Sequence, residues 1–332
     1  MPLGFNQKSK NNVFARKKVS LANQPDLSMR YTSLFLLILL GLTASLFGQN
    51  KYIPDNPYTQ WDGVTHRSRY MILSPAYLGP NALPVPDLHQ GRIPDRVNWT
   101  GLVEFYLGEG DLTYDAMTHF VIPLADSRVG LEFKYVPFEY YRMDSTVSRM
   151  RRTASGKAVD GYALGDIYFG TMVQLLKDHE VLPDMAVSMA CRTASGTKRE
   201  DARFTDTPGY YFDFSAGKTF YTGANWFESI RVYGEVGFYV YQTLLDNYPQ
   251  NDALLYGGGI DCEIGYFFVN QSIRGYNGYM YNGDHPLVYK AEVGFKMGTA
   301  GLVIGYEKGI RDFPFDSIKV GFRLDGLIDK GI

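Results

Sequence analysis

The chain has 332 residues and a formal net charge of -2 at pH 7. This near-neutral charge offers no electrostatic attraction to nucleic acid, so no nucleic-acid partner is expected. The mean hydropathy of -0.19 excludes a bundle of membrane helices. In contrast, 26 Tyr, 21 Phe and 35 Gly favour a protein built from strands and turns.

The first predicted element is an apolar stretch, LFLLILLGLTASLF, at residues 34–47. It has the length of a signal-peptide core and is shorter than the roughly 20 residues of a membrane-spanning helix. A methionine and an arginine precede it, and Gly48-Gln49 is the expected cleavage region. We therefore expect residues 1–28 to be a disordered leader or a mis-assigned start, and residues 29–49 to be a cleaved signal peptide. A retained membrane anchor is the alternative.

Residues 50–96 form the next segment and show no periodic pattern. Proline prevents a regular helix and is excluded from central strands, and this segment holds Pro75, Pro80, Pro84 and Pro86. The sequence predicts an irregular, extended N-terminal arm. It leaves open whether the arm lies under the rest of the protein, plugs it or hangs free.

From residue 97 onward, apolar and polar residues alternate in runs separated by turn residues. In Leu287–Met297, for example, Val293 and Phe295 lie on one face of a predicted strand, and Lys290 and Glu292 lie on the other. A period of two is the signature of a strand between two different environments. A soluble β-sandwich with its charges outside and a membrane barrel with its charges inside both fit this pattern.

Three features favour the membrane barrel over the sandwich: the export signal, the alternation in nearly every strand, and aromatic residues near the strand ends. About twelve strands can be counted, and bacterial barrels have even numbers. The predicted fold class is therefore all-β: a transmembrane antiparallel up-and-down β-barrel over residues 97–332. We expect it in the outer membrane of a Gram-negative bacterium, with outer-membrane lipid and the barrel-assembly machinery as partners.

The predicted outer loops are long, as at 144–163 and 193–208, and the inner turns are short. One outer loop is basic, and Arg binds phosphate bidentately. Its residues are therefore candidates for contact with lipopolysaccharide, with simple solubility as the alternative: Arg149, Arg151, Arg152 and Lys157. The mixed charges of residues 198–206 predict a solvated loop.

The face of the strands opposite the apolar one carries charges of both signs. The candidates for lining the lumen are Glu104, Glu132, Lys134, Asp213, Arg231, Glu235, Asp261, Lys290, Glu292, Lys296, Glu307 and Arg323. About twelve strands leave a limited bore that long side chains can fill. The lumen is therefore either a narrow polar channel or a plugged core, and a wide, open porin is not expected.

No motif for catalysis, metal or cofactor binding is present: there is no GxSxG elbow, and the five histidines are scattered. Only His119 lies well inside a predicted strand, and a catalytic role for it would need a serine at the same height on a neighbouring strand. An enzyme is therefore not expected, and no cofactor is implied. Cys191 and Cys262 are interpreted as ordinary strand residues, with a disulfide left open.

Three segments resemble the fatty-acid and aromatic-hydrocarbon transporters of the outer membrane, in particular those linked to phenol degradation. They are LGDIYFG at Leu164–Gly170, LPDMAVSMACRTASG at Leu182–Gly196 and GYEKGIRDFPFDSIKVGF at Gly305–Phe322. The resemblance implies passive uptake of small, often hydrophobic molecules. The predicted function is a channel or transporter for a small solute. The alternatives are a structural or surface-interaction barrel with a plugged lumen and a lipid-modifying enzyme.

Overall fold

The computed structural model describes residues 69–224 and 226–326, together with residues 62, 64 and 65. The predicted leader and signal peptide lie outside the described residues. Among the described residues, no helix is long and apolar enough to cross a membrane.

Antiparallel strands make up almost all of the regular structure. The described part of the chain contains one α-helix, α1 (Ser145–Met150), and thirteen strands: β1 (Asn98–Gly108), β2 (Asp111–Leu124), β3 (Val129–Met143), β4 (Val159–Ala163), β5 (Ile167–Leu176), β6 (Asp184–Arg192), β7 (Gly209–Tyr221), β8 (Ser229–Gln242), β9 (Gln250–Ile264), β10 (Phe267–Asn277), β11 (Leu287–Met297), β12 (Ala300–Arg311) and β13 (Phe315–Asp325).

Twelve of these strands close into a barrel, because β1 pairs with β13 along its whole length, from Asn98 opposite Asp325 to Gly108 opposite Phe315. The extra strand is β4. The first part of β3, Val129–Tyr135, pairs with β5, and its last part, Glu139–Met143, pairs with β4. This confirms the predicted all-β antiparallel barrel of about twelve strands, and adds one short strand where the sequence indicated a loop.

The alternation along each strand separates two environments. Apolar side chains are exposed on the outside of the barrel, for example Val103, Phe105 and Leu107 on β1, Val232, Val236 and Phe238 on β8, and Ile318, Val320 and Phe322 on β13. The neighbouring positions point inward and hold buried charges such as Glu104 and Glu235. A soluble protein shows the reverse arrangement. The protein is therefore an outer-membrane β-barrel, as the sequence predicted.

The two ends of the barrel differ in the length of their connections. At the end where β1 begins and β13 ends, two of the connections have only two residues, at 265–266 and 298–299. The opposite end carries residues 144–166, which include α1 and β4, and residues 193–208. Outer-membrane barrels have short periplasmic turns and long external loops. The long loops therefore mark the outer end, which also carries the two-residue connection at 109–110, and the opposite end is periplasmic.

The described part of the N-terminal arm from residue 69 to residue 96 threads the lumen from the outer end to the periplasmic end. Arg69 forms an ion pair with Asp246 in an outer loop, with 2.7 Å between their atoms. Near the other end of the arm, the Ile93 amide donates to Gln174 at 2.8 Å. Among the three arrangements that the sequence left open, the structure shows the arm plugging the barrel.

The outer half of the lumen contains an apolar cluster made jointly by the arm and the wall. Leu78, Leu83 and Val85 of the arm are at most 4% exposed and belong to one cluster with Tyr239 and Tyr276 of the wall. The inner half of the lumen holds buried charges such as Arg231 and Asp184, beside a smaller apolar cluster around Leu102 and Phe268.

Candidate functional site

The predicted lumen residues occupy inward positions on eight different strands. The structure places on that face Glu104 of β1, Glu132 and Lys134 of β3, Asp213 of β7, Arg231 and Glu235 of β8, Asp261 of β9, Lys290, Glu292 and Lys296 of β11, Glu307 of β12 and Arg323 of β13. Most of them are in ion pairs. Lys319, which the sequence analysis did not single out, joins Glu104 at 2.7 Å and Glu307 at 3.5 Å.

The arm places one carboxylate among the cations of the wall. Asp87 lies 3.0 Å from the Lys134 ammonium, 3.2 Å from the Arg274 guanidinium and 3.9 Å from the Lys290 ammonium. Arg274 also reaches Glu307 at 2.7 Å. The arm is therefore part of the charge network of the lumen, and its own charge helps to balance the wall.

Two residues further along the arm, an imidazole faces the acidic side of the wall. The ring of His89 lies 3.2 Å from Asp213 and 3.5 Å from both Glu235 and Glu132. The His89 backbone amide donates to Glu235 at 2.6 Å. The hydroxyl of Ser188 lies 2.9 Å from Nδ1 of the ring. The side chain therefore bridges the arm to strands β3, β6, β7 and β8.

A polar cavity of about 440 Å³ lies between the arm and the wall. Its lining includes the Asp87 network on β10 to β13, and it also includes Asn98 and Asp325 at the periplasmic end. The lining carries both signs of charge, which suits a polar solute better than a hydrophobic one. The lining reaches Asn98 and Asp325 at the periplasmic end of the barrel, and it also reaches Phe204 and Phe313 near the outer end.

Buried arginines close the outer mouth. Arg203 is fully buried and donates to Glu139 at 2.8 Å, Asp111 at 2.7 Å and Thr113 at 2.8 Å. Burial lowers the pKa of Arg203, but the attraction of Asp111 and Glu139 outweighs it and raises the pKa above its ordinary value. The prediction of a solvated loop at residues 198–206 is therefore wrong, since pairing with wall carboxylates draws this loop into the barrel.

A second buried arginine ties the wall to the arm. Arg192 is 1% exposed and donates to the carbonyl of Ala82 on the arm at 2.9 Å. The same guanidinium pairs with Asp166 at 2.9 Å and donates to the Thr207 carbonyl at 2.8 Å. One side chain therefore fixes the arm, the loop before β5 and the loop before β7.

The residues proposed to contact lipopolysaccharide do not share one surface. Arg149 and Lys157 are exposed, and Arg152 is half-buried. Arg151 is 2% exposed and pairs with Asp111 at 2.5 Å. Arg151 is thus directed into the mouth of the barrel and cannot reach a lipid headgroup, because its guanidinium is needed to neutralise a buried carboxylate. The lipid contact of the other three stays a prediction.

His119 faces the lumen on β2, with its Nε2 atom 2.8 Å from Glu132. This position separates it from the lipid-facing wall, where a lipid hydrolase would place a Ser–His pair. Cys191 and Cys262 are both free thiols, on β6 and β9.

Sequence reasoning missed the arm residues Asp87 and His89 and the arginines at the mouth. The signal was present in the arm: an acidic residue and a histidine stand in a segment otherwise rich in proline and apolar residues. Inward positions were found by their period of two, but an irregular segment offers no period from which to infer direction.

No family model matches the chain, and no curated protein matches its sequence. Solved structures of low identity do match. An outer membrane channel from Pseudomonas putida F1 is 10% identical with a TM-score of 0.45, and the match covers 72% of this chain and 99% of that one. The KdgM porin is 8% identical with a TM-score of 0.41, over 68% of this chain and 98% of that one. The transport unit of the autotransporter AIDA-I from Escherichia coli is 10% identical with a TM-score of 0.42, over 75% and 95%.

Proposed function

We propose that the protein is an outer-membrane channel for a small polar solute, closed at rest by its own N-terminal arm. The observation that carries the proposal is the polar cavity of about 440 Å³ between the arm and the wall. A barrel that served only as a scaffold would gain by filling this space with apolar side chains. Here the wall and the arm keep opposing charges around a volume that suits a small ligand.

The contacts of the inner half of the arm can be exchanged for water. Asp87 is held by ion pairs. When water enters, the charges of such pairs regain hydration, so the pairs stabilise the seated arm by only a small net free energy. Residues near Asp87 and His89 are therefore the part of the plug that we expect to move first.

The outer half of the arm resists movement, because leaving the lumen would expose Leu78, Leu83 and Val85. Each such side chain contributes roughly 1.5–3 kcal/mol when buried. Openings of the native protein are consequently expected to be rare. This apolar packing is also the observation that favours the second candidate function, a structural or surface-interaction barrel whose lumen stays closed.

Conductance across a planar lipid bilayer separates these two functions. The double variant Leu78→Ala and Leu83→Ala weakens the anchor of the arm, since each buried Leu→Ala change costs about 2–5 kcal/mol. We expect openings at least about tenfold more frequent than in the native chain. Val103→Ala removes an apolar group on the lipid side and serves as the matched control. If the double variant keeps its heat-dependent gel shift yet never conducts, the channel is refuted and the closed scaffold stands.

A further inference from the structure

The His89 cluster brings one imidazole and two carboxylates together from three separate elements. His89 lies on the arm, Asp213 on β7 and Glu235 on β8, and one potential ligand atom from each lies within 4.8 Å of the others. Nδ1 of His89 is 3.2 Å from Asp213 and 3.5 Å from Glu235. Ligands about 2.1 Å from a tetrahedral metal stand about 3.4 Å apart, so these two separations already match such a site.

The charges of this cluster do not balance. Asp213 and Glu235 are 1% and 6% exposed, and within the described residues no Lys or Arg nitrogen lies within 4.0 Å of either carboxylate. Glu132 adds a third carboxylate beside the same ring. The cluster therefore holds three carboxylates beside two imidazoles, those of His89 and His119, and burying an uncompensated charge is costly.

A separate observation points to a ligand at the same place. Oε1 of Glu235 is buried and has no hydrogen-bond partner in the described part of the protein, although the other oxygen of that carboxylate accepts from the His89 amide. Buried carboxylate oxygens are normally satisfied, so an orphaned one requires an explanation. A cation between Glu235, Asp213 and the ring would supply both the missing partner and the missing charge.

We propose that His89, Asp213 and Glu235 bind one divalent transition-metal cation of the zinc class. An imidazole nitrogen with carboxylate oxygens suits such a borderline ion better than calcium or magnesium, which take oxygen ligands. Nδ1 of His89 is the ligand, and the metal replaces the proton there. Glu132, 3.5 Å from Nε2, orients the ring from the other side, as the outer carboxylates of metal sites commonly do. The hydroxyl of Ser188 also lies close to the proposed metal position, 2.9 Å from Nδ1 of His89.

The proposed metal would join the plug to the wall, since one ligand belongs to the arm and two belong to the barrel. Bound metal would therefore hold the inner half of the arm in place. This consequence rests on the proposed channel function, whereas the metal site itself does not.

Isothermal titration of the full-length, detergent-refolded protein with zinc chloride after treatment with a chelator tests the site. We expect one zinc ion per chain, no saturable binding in His89→Ala or Asp213→Asn, and affinity about ten- to a hundredfold lower in Glu132→Gln. His285→Ala is the matched control, because this outer-loop histidine also neighbours a carboxylate, Asp284 at 3.7 Å, and should leave zinc binding unchanged.

Absence of saturable binding in the native protein, or undiminished binding in His89→Ala, would overturn the site. Each variant is first checked for its heat-dependent gel shift, and Glu235→Gln replaces any variant that does not fold. If zinc binds as expected but neither the native chain nor the Leu78 and Leu83 variant ever conducts, the metal site stands and the channel falls.

Discussion

Replacing Arg203 by alanine is the strongest test of how the outer mouth is held together. The guanidinium is fully buried, donates to Glu139 and Asp111, and lies over the ring of Tyr141 at 4.8 Å. Arg203→Ala leaves these carboxylates in place without their shared partner. Removing one member of a buried ion pair typically costs about 3–5 kcal/mol, because the remaining charge is buried alone.

The remaining partners decide where in that range the value falls. Asp111 keeps Arg151 at 2.5 Å, whereas Glu139 keeps, among the described residues, only the side-chain amide of Asn81 at 2.8 Å. The loss of stability therefore comes mainly from Glu139, which is left without a cationic partner in the described part of the chain. We expect the free energy of unfolding to fall by about 3 kcal/mol. Adding Glu139→Gln to Arg203→Ala should restore part of this loss, because it removes the uncompensated charge.

Urea unfolding of the barrel in detergent micelles measures this difference. Arg149→Ala, which truncates an exposed arginine on α1, is the control and should change the stability by less than about 0.5 kcal/mol. A loss of under about 1 kcal/mol in Arg203→Ala would refute the reasoning, since the carboxylates would then have found water or another cation.

Three further predictions follow from the placement of the arm and of the strand faces. A cysteine at Val64, five residues before the outer-mouth contact of Arg69, should react with a membrane-impermeant thiol reagent on intact cells, and labelling only after permeabilisation would contradict the direction of the arm. Phe212→Arg on the lipid face of β7 should lower the unfolding free energy by about 2–4 kcal/mol in urea, whereas Tyr221→Arg at the end of the same strand should cost about 0–1 kcal/mol. Gly91→Ala should destabilise the barrel by at least about 1 kcal/mol in the same assay, because Gly91 has a φ of 74° and an added Cβ would lie 2.7 Å from a wall carbonyl.

The strands were predictable because the two faces of each strand lie in strongly different environments, lipid on one side and the lumen on the other. The alternating run Leu287–Met297, which the sequence placed in a predicted strand, is β11 in the structure. The inward and outward positions follow from one rule, since a residue facing lipid must be apolar and its neighbour faces a polar lumen. The strand β4 escaped notice because Val159–Ala163 has only five residues and carries no clear alternation.

The site was less predictable, because half of it comes from a segment without a period. His89 meets Asp213 and Glu235 only through the path of the arm, and this path depends on where the apolar residues around Leu83 find a core. Likewise, Arg203 looks like an ordinary loop charge in the sequence. Only the closed barrel shows that Asp111 and Glu139 are its partners.

The threaded arm imposes an order on biogenesis. The seam between β1 and β13 joins strands more than two hundred residues apart in the chain, and contacts of such large sequence separation form late in folding. Once that seam has closed, threading the arm through the lumen would have to disrupt the apolar packing around Leu83. We therefore expect the sheet to curl around the arm before the seam between β1 and β13 closes. The insertion step that completes the wall is at the same time the step that traps the plug.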